Sequence, residues 1–103
     1  MTDSQPRLDI DTDGEVVTVS GEIDAHTAPD LAEHLAEFDG SSDRVVDLAG
    51  VDFMDSSGLR VLIDAHQRAE AAGSRLVLRS PGRAVSRIIE VSGLDQHLHV
   101  EHA

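Results

Sequence analysis

At 103 residues, 40% apolar and 27% charged, the chain has the size and composition of one soluble globular domain with a modest core. Its formal net charge of −12, with acids spread along the chain, repels phosphate backbones and anionic lipid surfaces, so neither direct nucleic-acid binding nor membrane binding is expected. A basic protein partner is favoured electrostatically, although solubility alone explains the same charge. The absence of cysteine excludes disulfides, thiol catalysis and thiolate metal sites. The first residues are polar and acidic, unlike a signal peptide, and no apolar stretch approaches the ~20 residues that span a bilayer, so a soluble, cytoplasmic protein is expected. With Phe38 and Phe53 the only aromatics, the core must come from Val, Leu, Ile and Ala.

Leu8-Asp9-Ile10 alternates, Thr12-Asp13-Gly14 supplies turn chemistry, and Val16, Val17 and Val19 resume, which together predict a β-hairpin. Thr27-Ala28-Pro29-Asp30 has the form of a capping box with Thr27 as N-cap. Ala28, Leu31, Leu35 and Phe38 then trace an amphipathic helix ending near Gly40. Arg44 to Leu48 reads as a buried strand bounded by Gly50, and Val51-Asp52-Phe53 continues extended beyond it. Leu59, Leu62, Ile63 and Ala69 mark a second helix stopped by Gly73. Arg75 to Arg79 is a strand broken by Ser80-Pro81-Gly82, followed by a third helix through Val85, Ile88 and Ile89 to Gly93. Leu98 and Val100 fit a short last strand. The order ββαβαβαβ predicts a single α/β domain over 1–103, with a core of about 6–101. Its sheet is expected to be mixed, mostly parallel and four- to five-stranded, starting with the hairpin and carrying helices on one face.

The chemistry concentrates at Asp55-Ser56-Ser57-Gly58, where a buried strand hands over to a helix. Unpaired amides and about half a positive charge at a helix start receive an oxyanion well. Asp55 or Ser56 can serve as N-cap, placing Ser57 in the first turn with its hydroxyl near solvent. Gly58 is expected to let a partner surface approach. A phosphoserine here adds about −1.5 to −2 charge beside Asp55, and beside Asp24 if the two lie close together. Plain helix capping also accounts for these residues taken alone. Nucleophilic catalysis is disfavoured, because Asp55 stands where a Gly-x-Ser-x-Gly elbow needs its first glycine and no histidine is placed as a base. No phosphate-binding Gly-x-x-x-x-Gly-Lys loop occurs.

Four stretches together resemble the STAS family, named for sulfate transporters and anti-sigma factor antagonists. They are Gly21-Glu22-Ile23-Asp24 through Thr27-Ala28-Pro29; Val45-Val46-Asp47-Leu48; Val51 through Phe53-Met54-Asp55-Ser56-Ser57-Gly58-Leu59; and Leu76-Val77-Leu78 followed by Ile88-Ile89-Glu90-Val91-Ser92-Gly93-Leu94. The resemblance implies an anti-sigma factor antagonist. Its unmodified form would bind an anti-sigma factor that is also an ATP-dependent serine kinase, and so release a sigma factor. Phosphorylation of the second serine, Ser57, would switch binding off, and a phosphoserine phosphatase would reset it. The implied docking surface comprises Asp24, Asp55, Ser56, Ser57, Gly58, Leu59 and Arg60. ATP and Mg²⁺ would belong to the kinase, so this chain is expected to need no cofactor and to be no enzyme. Related domains also act as scaffolds of stress-signalling assemblies or as subunits of lipid-transport complexes, which is the alternative. Relatives often carry Gly after the leucine; Arg60 stands there, either as a solvated residue or as a contact to partner or phosphate.

No metal site is expected from the six histidines. His26, His34 and His66 are scattered without a His-Glu-x-x-His pattern, while His97 and His99 would share a strand face with His102 beyond. Asp9, Asp11 and Asp13 lack the glycine and terminal glutamate of a calcium loop.

Overall fold

The computed structural model describes residues 8–38 and 40–102, so positions 6 and 7 of the expected core lie outside the described residues. Strand β1 (Leu8–Asp13) and strand β2 (Val16–Ile23) form the expected antiparallel hairpin, with Ile10 paired to Val19. Helix α1 (Ala28–Ala36) leads to strand β3 (Arg44–Met54), helix α2 (Ser56–Ala71) and strand β4 (Leu76–Arg79). Helix α3 (Arg83–Ser92), a 3-10 turn (Leu94–Gln96) and strand β5 (His99–Glu101) complete the chain.

The five strands lie in the order β1-β2-β3-β4-β5, with every pair after the hairpin parallel. Each crossover therefore steps in the same direction across the sheet. Right-handed crossovers that never reverse place all three helices on one face. The side-chain pattern agrees: Val17 and Val19 are fully buried while Thr18 between them is exposed, and Leu76 and Leu78 are likewise buried in β4. Leu31 and Leu35 of α1, Leu59 and Leu62 of α2, and Val85 and Ile89 of α3 close over that face. Each such aliphatic side chain contributes about 1.5–3 kcal/mol by leaving water.

Three local expectations change. Gly50 does not end a strand: β3 runs unbroken for 11 residues. A Cβ at Gly50 would lie 2.7 Å from the Ser20 Cβ, and the ladder shifts register between Thr18 and Ser20. The glycine thus marks an irregularity where two backbones come close rather than a terminus. Helix α1 stops at Ala36, short of Gly40, with Phe38 half-buried and the Arg44 guanidinium 4.5 Å from its ring centre. His97 sits in the turn before β5, so it does not share a strand face with His99. Among the described residues, no helix is long and apolar enough to cross a membrane.

Candidate functional site

The site is built by the sheet. Ile23 and Met54 are register partners at the ends of β2 and β3, and the Asp55 amide donates to the Ile23 carbonyl at 3.1 Å. Asp24 and Asp55, each the next residue in its chain segment, therefore leave the sheet side by side, which meets the condition set for them by the sequence. Asp55 has extended backbone (φ −107, ψ −171), and its Oδ1 accepts the Ser57 amide at 2.8 Å. Asp55 is thus the N-cap of α2, and Ser56 is its first helical residue. Ser56 is exposed and Ser57 partly buried. Neither serine hydroxyl forms a hydrogen bond to another described residue, and both serines line an open surface groove. The Ser57 amide is already taken by a carboxylate, however, so a phosphate on Ser57 would meet Asp55 and not an open amide donor.

The neighbouring loop is tied differently. Asp24 Oδ1 accepts the amides of His26 at 2.9 Å and Thr27 at 3.0 Å. Thr27 holds the N-cap position of α1 but makes no side-chain cap. Its hydroxyl turns back, donating to the Glu22 carbonyl at 2.8 Å and accepting the Asp24 amide at 3.0 Å. The expected capping box with Asp30 does not form, because the Glu22 carbonyl in β2 and the Asp24 amide just beyond it occupy the hydroxyl. The loop carrying Asp24 is consequently held from within.

Two of the seven expected docking residues face inward. Gly58 is buried, and a Cβ there would fall 2.5 Å from Ile23 Cγ2 and 2.7 Å from Met54 Cγ. The missing side chain lets the first turn of α2 seat against β2 and β3; it does not open space for a partner. Leu59 is 6% exposed and belongs to the core. Arg60 is exposed, and an open groove runs from Ser56 and Ser57 past Arg60 to Asp64 and Gln67. Ser57 and Arg60 are three residues apart, which places them on one helix face. Sequence reasoning missed Phe53 as a surface feature. It is 47% exposed at the end of β3, directly beside this junction. Its signal was the departure from strict alternation in Asp52-Phe53-Met54, where the β2–β3 register shifts again.

A family model described as "Mlab, STAS domain" matches residues 7–100. The chain belongs to the STAS domain family. It is 35% identical over 94 residues to the anti-sigma-B factor antagonist of Listeria monocytogenes, covering 89% of this chain and 82% of that one. To the anti-sigma-B factor antagonist of Staphylococcus aureus it is 33% identical over 86 residues, covering 82% and 80%. Among solved structures, an anti-sigma factor antagonist from Mycobacterium paratuberculosis superposes with a TM-score of 0.74 at 32% identity, over 93% of this chain and 85% of that one. The unphosphorylated anti-sigma factor antagonist SpoIIAA shares the fold, with a TM-score of 0.69 at 21% identity over 90% and 86%. In this STAS domain the β3–α2 junction carries an exposed aromatic, two serines, an arginine and the N-cap Asp55, with Asp24 leaving the adjacent strand.

Proposed function

We propose that this STAS domain is an anti-sigma factor antagonist whose unmodified form docks, through the β3–α2 junction, on an anti-sigma factor that is also a serine kinase. Ser57 is the switch, and Asp24, Asp55, Ser56 and Arg60 frame the contact. Gly58 and Leu59 support it from beneath, and Phe53 offers an aromatic anchor of the kind that dominates protein interfaces. The observation that carries this reading is the unbonded hydroxyl of Ser57, presented at a helix start that is itself fixed by Asp55.

Phosphorylation would set about −1.5 to −2 charge beside two carboxylates, turning a docking patch into a repulsive one. Arg60, on the same helix face, is placed to meet part of that charge. The protein acts in the cytoplasm as substrate and binding partner rather than as catalyst, and a phosphoserine phosphatase restores the docking form. ATP and its metal belong to the kinase.

Incubation with a cognate kinase and ATP should add one phosphate per chain, and Ser57→Ala should remove it while Ser56→Ala keeps it. Stoichiometric labelling of Ser57→Ala would overturn the choice of serine. Ser57→Asp should weaken binding to the anti-sigma factor by about tenfold or more in calorimetry, since like charge facing a docked surface is costly. Unchanged affinity would overturn the switch.

A further inference from the structure

The second feature of helix α2 lies three turns from the serines, where the helix faces the edge strand. His66 and Glu70 are four residues apart and so share one face of α2. The parallel register of β4 and β5 sets His99 opposite Val77 and brings its ring against that face. The two imidazoles meet edge to face with centroids 5.4 Å apart, and His99 Nε2 lies 3.2 Å from Glu70 Oε2. One ligand atom from each of the three residues lies within 4.8 Å of the others. His66 is only 8% exposed, and its Nδ1 is buried without a hydrogen-bond partner among the described residues.

The geometry points to a divalent transition-metal site, taking zinc(II), formed by His66, Glu70 and His99. Two imidazoles and one carboxylate are a donor set that suits zinc, with solvent as the fourth ligand. Tetrahedral bonds of about 2.0–2.1 Å put ligand atoms about 3.3 Å apart. The Glu70–His99 pair already has that spacing at 3.2 Å, and the remaining separations, none above 4.8 Å, exceed it by about 1.5 Å at most. A buried imidazole nitrogen without a partner is unusual, since buried polar atoms are nearly always bonded. It shows a polar ring held at this position without a full set of bonds from the chain itself. The partial exposure of His99 and Glu70, with side chains 37% and 53% accessible, leaves a path for the ion. Bound there, zinc would tie the three-residue β5 to the long central helix, giving the sheet edge a crosslink beyond its ladder to β4.

The test uses the full chain without a polyhistidine tag, titrated with zinc(II) by calorimetry and with cobalt(II) by visible absorption. One ion per chain is expected, with the intense cobalt bands of four-coordinate geometry. His99→Gln and Glu70→Gln, both at accessible positions, should each weaken affinity by at least about tenfold, given that loss of even an outer-shell partner costs about 10–100-fold. The double variant His97→Gln/His102→Gln should bind as the parent does. Absence of binding, unchanged affinity in both single variants, or loss of binding in the double variant would overturn the site, the last by assigning the ion to loose chelation by surface histidines.

Discussion

Two strand-to-helix junctions lie next to each other at one end of the sheet, and they use the same opening move for different ends. In each, an aspartate follows the last strand residue and accepts an amide two positions on: Asp24 from His26, and Asp55 from Ser57. In each, the residue three places after that aspartate is buried: Thr27 in one and Gly58 in the other. The difference lies in the hydroxyls. Thr27 commits its oxygen to Glu22 and Asp24 of the preceding strand end, so its chemistry is consumed by the loop. Ser56 and Ser57 leave theirs unbonded, while the smallest side chain, at Gly58, lets the helix sit on the sheet. Two neighbouring junctions in one fold thus make one hydroxyl a structural strut and leave others unbonded within the described residues.

The comparison breaks most readily at Gly58. Gly58→Val pushes two methyl groups towards Ile23 and Met54 and should lower the unfolding free energy by about 3 kcal/mol, the upper end of overpacking costs, read from urea midpoints. An unchanged midpoint would mean that the helix start is not seated as described. Next comes Thr27→Val, which keeps the shape but strips partners from the Glu22 carbonyl and the Asp24 amide. A loss of about 1–2 kcal/mol is expected, largely restored in Thr27→Ser. If Thr27→Val costs no more than a surface substitution, the two junctions are alike after all. Asp55→Ala should cost about 1 kcal/mol through loss of the N-cap, with Asp55→Asn close to the parent.

The smallest effect serves as a control from the middle of the sheet, away from both junctions. The Asp47 carboxylate accepts the Ala49 amide at 2.9 Å and pairs with Arg79 at 3.0 Å, so these two bonds, the amide first, hold its pKa below the ordinary 3.8. A carboxylate favoured in its charged form by folding adds stability above its unfolded pKa and loses it as pH falls through the lower folded value. On acidification from about pH 5 downward, the stability advantage of the parent over Asp47→Asn should therefore shrink. An advantage that stays constant across the acid series would show that the ion pair does not act in this way.

Much of this architecture was legible because its causes are local. The valine alternation of β2, the leucine stripes of α1 and α2 and the turn chemistry around Gly14 are written within a few residues of one another. The strand-to-helix change at Asp55 could be read for the same reason, and the N-cap fell on one of the two residues proposed. What escaped depends on contacts between distant segments. Gly50 looked like a strand end because its meaning lies in the approach of Ser20. Thr27 is a nearer case: it matched a capping box because residue types alone do not show that the chain will turn so that Glu22, five residues back, takes its hydroxyl. Gly58 looked like an opening until Ile23 and Met54 were seen beneath it. His66 looked isolated because His99, which faces it, is 33 residues further along and arrives only through the last parallel pairing. The 3-10 turn at Leu94–Gln96, which aims that final strand, carried no periodic signal of its own.

The tight seat of the first helical turn has a mechanical corollary. With Ile23 and Met54 packed against Gly58, the turn has no room to sink, rotate or unwind inward when something is attached above it. A group esterified to Ser57, as proposed, would therefore find a helix start that cannot yield towards the sheet, and would be expected to project outward as added relief and charge.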